Sequence, residues 1–104
     1  MKITVAVDIM GGDNSASELA KGALNAASEF ANEGLSLILV GTEEAINELP
    51  PLPENVTTQV AGSVVYMTDD PGKVMKEKSD SSLVIACKLC KDGVADAVVS
   101  AGNT

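Results

Sequence analysis

Short runs of consecutive, mostly apolar residues alternate along this chain with stretches whose apolar residues recur at helical spacing. The runs cover residues 3–7, 35–40 and 95–100, and a weaker one covers residues 56–60. Runs of this length, apolar at successive positions, are typical of strands covered on both faces of a parallel sheet. The alternation therefore predicts an α/β fold with a mostly parallel sheet flanked by helices.

The longest predicted helix follows the first run. Its apolar residues lie on one face over residues 16–31, Ser15 and Glu18 form a capping-box pattern at its start, and Gly34 indicates its end. Gly22 in its middle costs about 1 kcal/mol relative to alanine, which suggests close packing against a neighbour. Shorter helices are predicted over residues 43–49, 72–78 and 82–91.

Composition narrows the classes of function. The 15 acidic and 7 basic residues leave a formal net charge of -8, which opposes binding to nucleic-acid phosphates and to an anionic membrane surface. No run approaches the roughly 20 apolar residues of a membrane span, and the first residues lack the apolar core of a signal peptide. We therefore expect a cytoplasmic protein with no nucleic-acid partner and at most peripheral membrane association.

Two segments rich in small and polar residues follow predicted strands, at residues 8–14 and 100–104. In open α/β sheets, ligands bind beyond the carboxyl ends of the strands, so both segments are expected at one ligand-binding edge. Glycines there let a backbone approach a ligand, and backbone N–H groups at a turn or helix start bind anions. Side-chain donors are also expected from Ser100, Asn103 and Thr104.

Asp8 and Asp13 complicate the first segment, because carboxylates repel a phosphate. They could accept hydrogen bonds from N–H groups of their own loop, hold a lysine or bind a substrate hydroxyl. A Gly-rich strand-to-helix turn without a ligand is an equally good interpretation. The segment matches neither the Walker A pattern nor GxGxxG, so the common nucleotide-binding fingerprints do not apply.

A second cluster of polar residues, KSDSS, precedes the predicted helix at residues 82–91. Lys78, Ser81 and Ser82 could bind an anion at the helix N-terminus, although an ordinary N-cap explains the same pattern. Five of the seven lysines lie in the second half of the chain, where they form either a cationic patch or a solvated helix surface.

Cys87 and Cys90 form a CxxC pattern inside that helix. Thiolates are stabilised at helix starts and not in their middle, and two cysteines without any histidine are too few for a usual zinc site. We expect both cysteines to pack in the core, and we expect no metal.

Together these segments resemble the bacterial phosphate acyltransferases of phospholipid synthesis (the PlsX family). VDIMGGDNS is similar to the family's V-D-A-M-G-G-D-H-A, and LILVGTEEAI resembles its second strand and following turn. The block from VVYMTDDPGK to the final SAGNT resembles one that ends in S-A-G-N-T-G. The matches occur in the family's order over nearly the whole chain, and their combination is highly specific.

The resemblance implies a Rossmann-like part of the fold shared by isocitrate dehydrogenases and phosphotransacetylases. It implies transfer of a fatty acyl group from acyl carrier protein to inorganic phosphate, in a homodimer. We expect no cofactor. Family members are much longer, and the chain ends in turn residues with no crossover helix after them. Residues 1–104 are therefore expected to be the N-terminal segment of a longer acyltransferase domain.

Carried over position by position, the resemblance and the clusters above define a set of site residues. Ser100, Asn103 and Lys78 are expected to act in catalysis. Lys78 or Lys88 would offset negative charge. Contacts to substrate or phosphate are expected from Asp8, Gly11, Gly12, Asp13, Ser81, Ser82, Lys88, Gly102 and Thr104.

Asn14 stands where the family commonly has histidine. Asn14 could replace a histidine that only caps or bonds locally, but not one that transfers a proton. Two other functions therefore stay open: a non-catalytic module that binds phosphate or a phosphorylated ligand, and an inactive fragment that folds only with further sequence.

Overall fold

A computed structural model of the chain describes residues 2–10, 16–62 and 81–100. Strands and helices alternate along the described part of the chain, as the sequence predicts. The strands are β1 (Ile3–Asp8), β2 (Leu35–Thr42), β3 (Val56–Ala61) and β4 (Ala97–Ser100). The helices are α1 (Ala16–Glu29), α2 (Glu43–Asn47) and α3 (Ser82–Lys91), with a short 3-10 helix at Ala31–Glu33.

The four strands form one parallel sheet in the order β3-β2-β1-β4. Along β1, Ile3 lies opposite Leu35 of β2, and Asp8 lies opposite both Val40 of β2 and Ser100 of β4. The predicted parallel α/β fold is thus confirmed. β2 lies inside the sheet, and its residues pack into hydrophobic clusters on both faces, which explains why its sequence is nearly continuous in apolar residues.

Helices cover both faces of the sheet. On one face, α1 and α2 pack over alternate strand residues such as Leu37 and Leu39. On the other, Ala86 of α3 packs against Ala6 and Val40. The chain moves from β1 outward to β3 with its helices on the first face, then crosses back to β4 with α3 on the second. This is the doubly wound arrangement.

The first helix ends earlier than the sequence predicts, at Glu29. The side-chain amide of Asn55 donates hydrogen bonds to the carbonyl oxygens of Ala27 and Leu35, and so joins the last turn of the helix to the start of β2. Phe30 is in a turn and 42% exposed, not on the buried helix face. Gly34, with φ 90°, ends the following 3-10 helix in the left-handed conformation.

Three smaller predictions need correction. α2 ends at Asn47 and not at residue 49 as predicted, and β4 begins at Ala97 and not at residue 95. Gly22 does not mark close packing, because a Cβ atom built there meets no atom within 4 Å. The Ser15 cap and the helix predicted at residues 72–78 lie outside the described residues.

Candidate active site at the carboxyl edge of the sheet

The doubly wound topology places a crevice between β1 and β4. From β1 the chain turns towards β2 on one side, whereas β4 lies on the other side and is reached across the opposite face. Ligands in open α/β sheets bind at this topological switch point, outside the carboxyl ends of the strands. In this chain those ends are Asp8 and Ser100, which are paired in register.

Asp8 and Ser100 make direct side-chain contact at that crevice. The Ser100 hydroxyl donates a hydrogen bond of 2.9 Å to Oδ2 of Asp8. The Asp8 side chain is only 4% exposed. The prediction that the segments after the first and last strands share one edge is therefore confirmed for these two residues, which lie 92 positions apart in the sequence.

The other carboxylate oxygen of Asp8 shapes its own loop. Oδ1 accepts a hydrogen bond of 2.9 Å from the backbone N–H of Met10. This is the first of the three roles that the sequence left open for Asp8. Both carboxylate oxygens are thus occupied, one by the loop after β1 and one by the end of β4, so Asp8 couples the two segments that border the crevice.

The hydrogen bond to Asp8 also sets the polarity of the Ser100 hydroxyl. A serine hydroxyl carries one hydrogen and two lone pairs, and in this contact Ser100 is the donor and Oδ2 of Asp8 the acceptor. While the Ser100 hydrogen is directed at Asp8, its oxygen can accept but cannot donate a further hydrogen bond. The sequence predicts a donor at Ser100. The structure changes that expectation.

Gly41 supports the site and was missed by the sequence analysis. It lies near the carboxyl end of β2, beside the residues that follow Asp8. A Cβ atom at this position would lie 2.9 Å from Cγ1 of Ile9, a side chain that is fully buried. The glycine therefore gives the loop after β1 room to cross the end of β2. The sequence signal available for this role was the position of Gly41, directly after the apolar run of residues 35–40.

The N-terminus of α3 faces the same edge of the sheet. The chain after α3 reaches the opposite, amino edge at Asp96, whose backbone N–H donates to the Thr4 carbonyl. Ser81 caps the helix, accepting a hydrogen bond of 3.3 Å from the N–H of Val84. The N-cap interpretation is confirmed for Ser81. Ser82 is 1% exposed, and its hydroxyl lacks a hydrogen-bond partner within the described structure.

Lys88 is not brought to this edge. It lies in the last turn of α3, six residues and about 9 Å of helix beyond Ser82. The remaining predicted site residues lie outside the described ranges. They are Gly11, Gly12, Asp13, Lys78, Gly102, Asn103 and Thr104.

The two cysteines differ from expectation. Cys87 is exposed and Cys90 is half-buried, and both thiols are free. Core packing was therefore the wrong prediction for Cys87, because Val84 and Ala86 supply the buried side of α3.

Within residues 2–10, 16–62 and 81–100, no cluster of three or more potential metal ligands occurs. No described helix is long and apolar enough to cross a membrane.

Fold and site together define a doubly wound α/β protein with a polar crevice at its switch point. Comparison with known proteins then identifies the group. The family model described as "Fatty acid synthesis protein" matches residues 3–104. The chain belongs to this family.

Relatives with similar sequences carry the name phosphate acyltransferase. A protein from Desulfitobacterium hafniense (strain DSM 10664 / DCB-2) is 44% identical over 103 residues, one from Brevibacillus brevis is 40% identical over 102, and one from an Exiguobacterium species is 39% identical over 100. Each alignment covers 96% of this chain and 30% of the relative. The chain thus spans less than a third of the length of these relatives.

Proposed function

We propose that this chain is the N-terminal segment of an enzyme that transfers a fatty acyl group from acyl carrier protein to inorganic phosphate. The family description and the name shared by its relatives support acyl transfer to phosphate. The structural observation that carries the proposal is the hydrogen bond between Ser100 and Asp8, which brings two polar side chains together at the switch point. The acyl phosphate product would serve phospholipid synthesis.

The reaction needs no covalent enzyme intermediate, because phosphate is itself the nucleophile. An oxygen of hydrogen phosphate attacks the thioester carbonyl carbon and forms a C–O bond. The C–S bond then breaks, and the leaving sulfur takes the proton that the phosphate brought. One thioester and one hydrogen phosphate dianion thus give one acyl phosphate dianion and one thiol. The protein must orient the phosphate and stabilise the developing oxyanion.

Ser100 suits the first of these tasks. With its hydrogen directed at Asp8, its oxygen can accept a hydrogen bond from the P–OH group of hydrogen phosphate. That contact orients the phosphate so that an unprotonated oxygen attacks. Asp8 itself would not contact the phosphate. It holds Ser100 and the loop after β1 in place.

Other parts of the proposed site come from the motifs shared with the family. Asn103 and Lys78 would polarise the thioester carbonyl or offset charge. Ser82, at the start of α3, would add a hydroxyl near the phosphate. Backbone contacts to substrate would come from Gly11, Gly12, Asp13, Ser81, Gly102 and Thr104. Lys88 has no part in the proposal, because the last turn of α3 lies away from the carboxyl edge.

Three properties of the whole protein belong to the same proposal: it acts as a homodimer, takes acyl-acyl carrier protein as its partner, and works in the cytoplasm. The test is release of thiol from acyl-acyl carrier protein by the full-length protein, with and without phosphate. We expect release only with phosphate, and no release with sulfate at equal ionic strength. A folded full-length protein that releases no thiol with phosphate would refute the assignment.

A second candidate is a module that binds phosphate without catalysis. The observation in its favour is Asn14, which stands where the resembled family commonly has a histidine and which could not transfer a proton in its place. Calorimetric titration of the 104-residue chain and of the full-length protein with phosphate distinguishes the two. Binding by both, together with no thiol release by either, would favour the module.

A further inference from the structure

The hydroxyl of Ser82 is buried at the start of α3 without a hydrogen-bond partner in the part of the chain that the structure describes. Ser82 is 1% exposed, so bulk water does not satisfy this hydroxyl. Buried polar side-chain atoms nearly always have a partner, and an exception calls for a specific cause such as a bound ion, an ordered water or a role in catalysis. Alanine would fill this position without leaving a hydroxyl unsatisfied. The serine therefore indicates a group that binds at the start of α3.

The side chain of Ser82 is directed at the carboxyl edge of the sheet. Ala86 and Leu89 lie four and seven residues further along α3 and pack on the sheet, so they share one side of the helix with Ser82. In an α-helix each Cα–Cβ bond is tilted towards the N-terminus. The Ser82 hydroxyl is therefore directed out of the helix start, between the first turn of α3 and the sheet.

This position lies at the level of the contact between Asp8 and Ser100. Ala86 packs against Ala6 of β1. The distance from Ala86 back to Ser82 is one helical turn, about 6 Å, and Asp8 lies about 7 Å beyond Ala6 in the same direction. Side chains alternate between the two faces along a strand, so Asp8 and its partner Ser100 point to the α3 face, as Ala6 does. The start of α3 and this contact thus border the same part of the carboxyl edge.

The first turn of α3 supplies further donors. The N–H of Val84 donates to the Ser81 side chain, and the N–H of Ile85 donates to the Ser81 carbonyl. The N–H of Leu83 lies in the first turn and has no acceptor within the helix. This turn, as the structure describes it, contains no acidic residue to offset the positive end of the helix dipole. A hydroxyl and an N–H at such a helix start favour an anion.

We propose that the start of α3 is the subsite that binds phosphate, with the Ser82 hydroxyl donating to one phosphate oxygen and the Leu83 N–H donating to another. The inference rests on the proposed function and specifies where the phosphate lies and which side chain holds it.

The proposed subsite also sets how the phosphate is turned. The carboxylate oxygens of Asp8 already accept hydrogen bonds from the Met10 N–H and the Ser100 hydroxyl, and Asp8 makes no contact with the phosphate. The ionised oxygens of hydrogen phosphate are directed at the donors of α3, and its protonated oxygen is directed at Ser100. This orientation keeps the ionised oxygens away from the carboxylate, because like charges at short range are unfavourable.

Ser82→Ala in the full-length protein tests this placement. We expect the KM for phosphate to rise by about tenfold or more, as for the loss of one hydrogen bond to a charged group. The KM for acyl-acyl carrier protein should stay within about twofold of wild type, because the hydroxyl contacts phosphate and not the thioester. An unchanged KM for phosphate in a folded Ser82→Ala protein would overturn the proposal.

Stability without phosphate separates a binding role of Ser82 from a structural one. Ser82→Ala removes an unsatisfied hydroxyl, so its urea midpoint should equal or exceed that of wild type. Ser81→Ala is the matched comparison: it removes the cap that accepts from the Val84 N–H, and its midpoint should fall. A fall in the midpoint of Ser82→Ala, together with an unchanged KM for phosphate, would assign Ser82 a structural role and overturn the proposal.

A second measurement does not depend on the folding of a variant. Amide hydrogen exchange of the wild-type full-length protein is followed by mass spectrometry in phosphate and in chloride at equal ionic strength. We expect phosphate to slow exchange in peptides that cover residues 82–86, because a bound anion holds the first N–H groups of α3. Exchange in these peptides that is the same in phosphate and in chloride would overturn the proposal.

The two proposals can fail separately. Phosphate-dependent thiol release by the wild-type protein tests the reaction itself, whichever residues hold the phosphate. Release together with an unchanged KM for phosphate in Ser82→Ala and no protection of residues 82–86 would refute the subsite alone. Absence of release would refute the reaction. In that case, protection of residues 82–86 by phosphate that Ser82→Ala abolishes would still establish the subsite.

Discussion

Two aspartates connect β1 and β4, one at each end of the strand pair, and they do so differently. At the amino edge, Oδ2 of Asp96 accepts a hydrogen bond of 2.9 Å from the N–H of Thr4, and Asp96 is exposed. At the carboxyl edge, Asp8 is 4% exposed and accepts from the Ser100 hydroxyl and the Met10 N–H. Both residues are aspartates that connect the same two strands, but Asp96 is exposed to solvent and Asp8 is buried.

The difference shows how position in the fold decides the role of a carboxylate. Asp96 adds one hydrogen bond between β1 and β4 at an exposed position, where water can replace the carboxylate as acceptor. Asp8 orients a side chain at the switch point, and each of its oxygens accepts a separate hydrogen bond that a substitution would weaken or remove. Substitutions at the carboxyl edge should therefore affect activity, and those at the amino edge should affect at most stability.

The largest effect is expected for Asp8→Asn in the full-length protein. An amide has one acceptor oxygen where the carboxylate has two, so one of the two hydrogen bonds must be lost or reversed. If the side-chain amide of the asparagine donates to the Ser100 oxygen, the Ser100 hydroxyl changes from donor to acceptor in this contact. We expect kcat/KM for phosphate-dependent thiol release to fall by about a hundredfold or more, comparable with the loss of an oriented active-site donor.

Circular dichroism and the urea midpoint serve as controls for Asp8→Asn, because the substitution nearly conserves volume. Wild-type kcat/KM in a folded Asp8→Asn protein would contradict the role given to Asp8.

Ser100→Ala is expected to have the next largest effect. The substitution removes the acceptor proposed for the phosphate P–OH and leaves Oδ2 of Asp8 without its partner. We expect a rise in KM for phosphate and a fall in kcat/KM of about tenfold to a hundredfold, as for one hydrogen bond to a charged group. In the double variant with Asp8→Asn the losses should be less than additive, because both act on one contact. Fully additive losses would show that the two residues act independently.

Gly41→Ala should have a moderate effect on stability and activity together. The new methyl group would lie 2.9 Å from Cγ1 of Ile9, and overpacking of this kind costs about 1–3 kcal/mol. Since Ile9 and Met10 follow Asp8 directly, we also expect kcat/KM to fall, but by less than in the Asp8 and Ser100 variants. The free energy of unfolding, measured with urea, should fall at the same time. Gly22→Ala is the matched control: it meets open space and should raise helix stability by up to about 1 kcal/mol. Equal behaviour of the two variants would rule out the packing argument.

The smallest effect is expected for Asp96→Ala. Loss of an exposed carboxylate that accepts one backbone hydrogen bond should change the unfolding free energy by about 0.5 kcal/mol. Thiol release should stay within about twofold of wild type, because the amino edge lies at the far end of the strands from Ser100. A large loss of kcat/KM in Asp96→Ala would remove the distinction between the two edges.

Much of the fold follows from local sequence patterns. The apolar runs predict the strands, and α3 begins at Ser82 and ends at Lys91 as its cap and Gly93 indicate. The end of α1 could not be predicted in this way. The last turn of α1 is held by the side chain of Asn55, which is 28 residues from Ala27 in the sequence, and no local signal connects the two.

The candidate site was predicted in outline. The sequence places Asp8 and Ser100 at the ends of strands, and the structure confirms that they share an edge. The direction of the hydrogen bond made by the Ser100 hydroxyl was not predictable, because it depends on which side chain Ser100 contacts in the folded protein. Gly41 was overlooked as a site residue for a related reason: its close neighbour, Ile9, belongs to the loop after β1 and meets it only in the folded protein.

The sequence alone determined the class of fold and the identity of the polar residues at the strand ends, because apolar periodicity and turn residues are local properties. Tertiary structure alone decided that β4 lies beside β1 and that Asp8 receives the hydrogen of Ser100. These features arise from pairings between residues as many as 92 positions apart. Such pairings form only when strands and helices pack against one another.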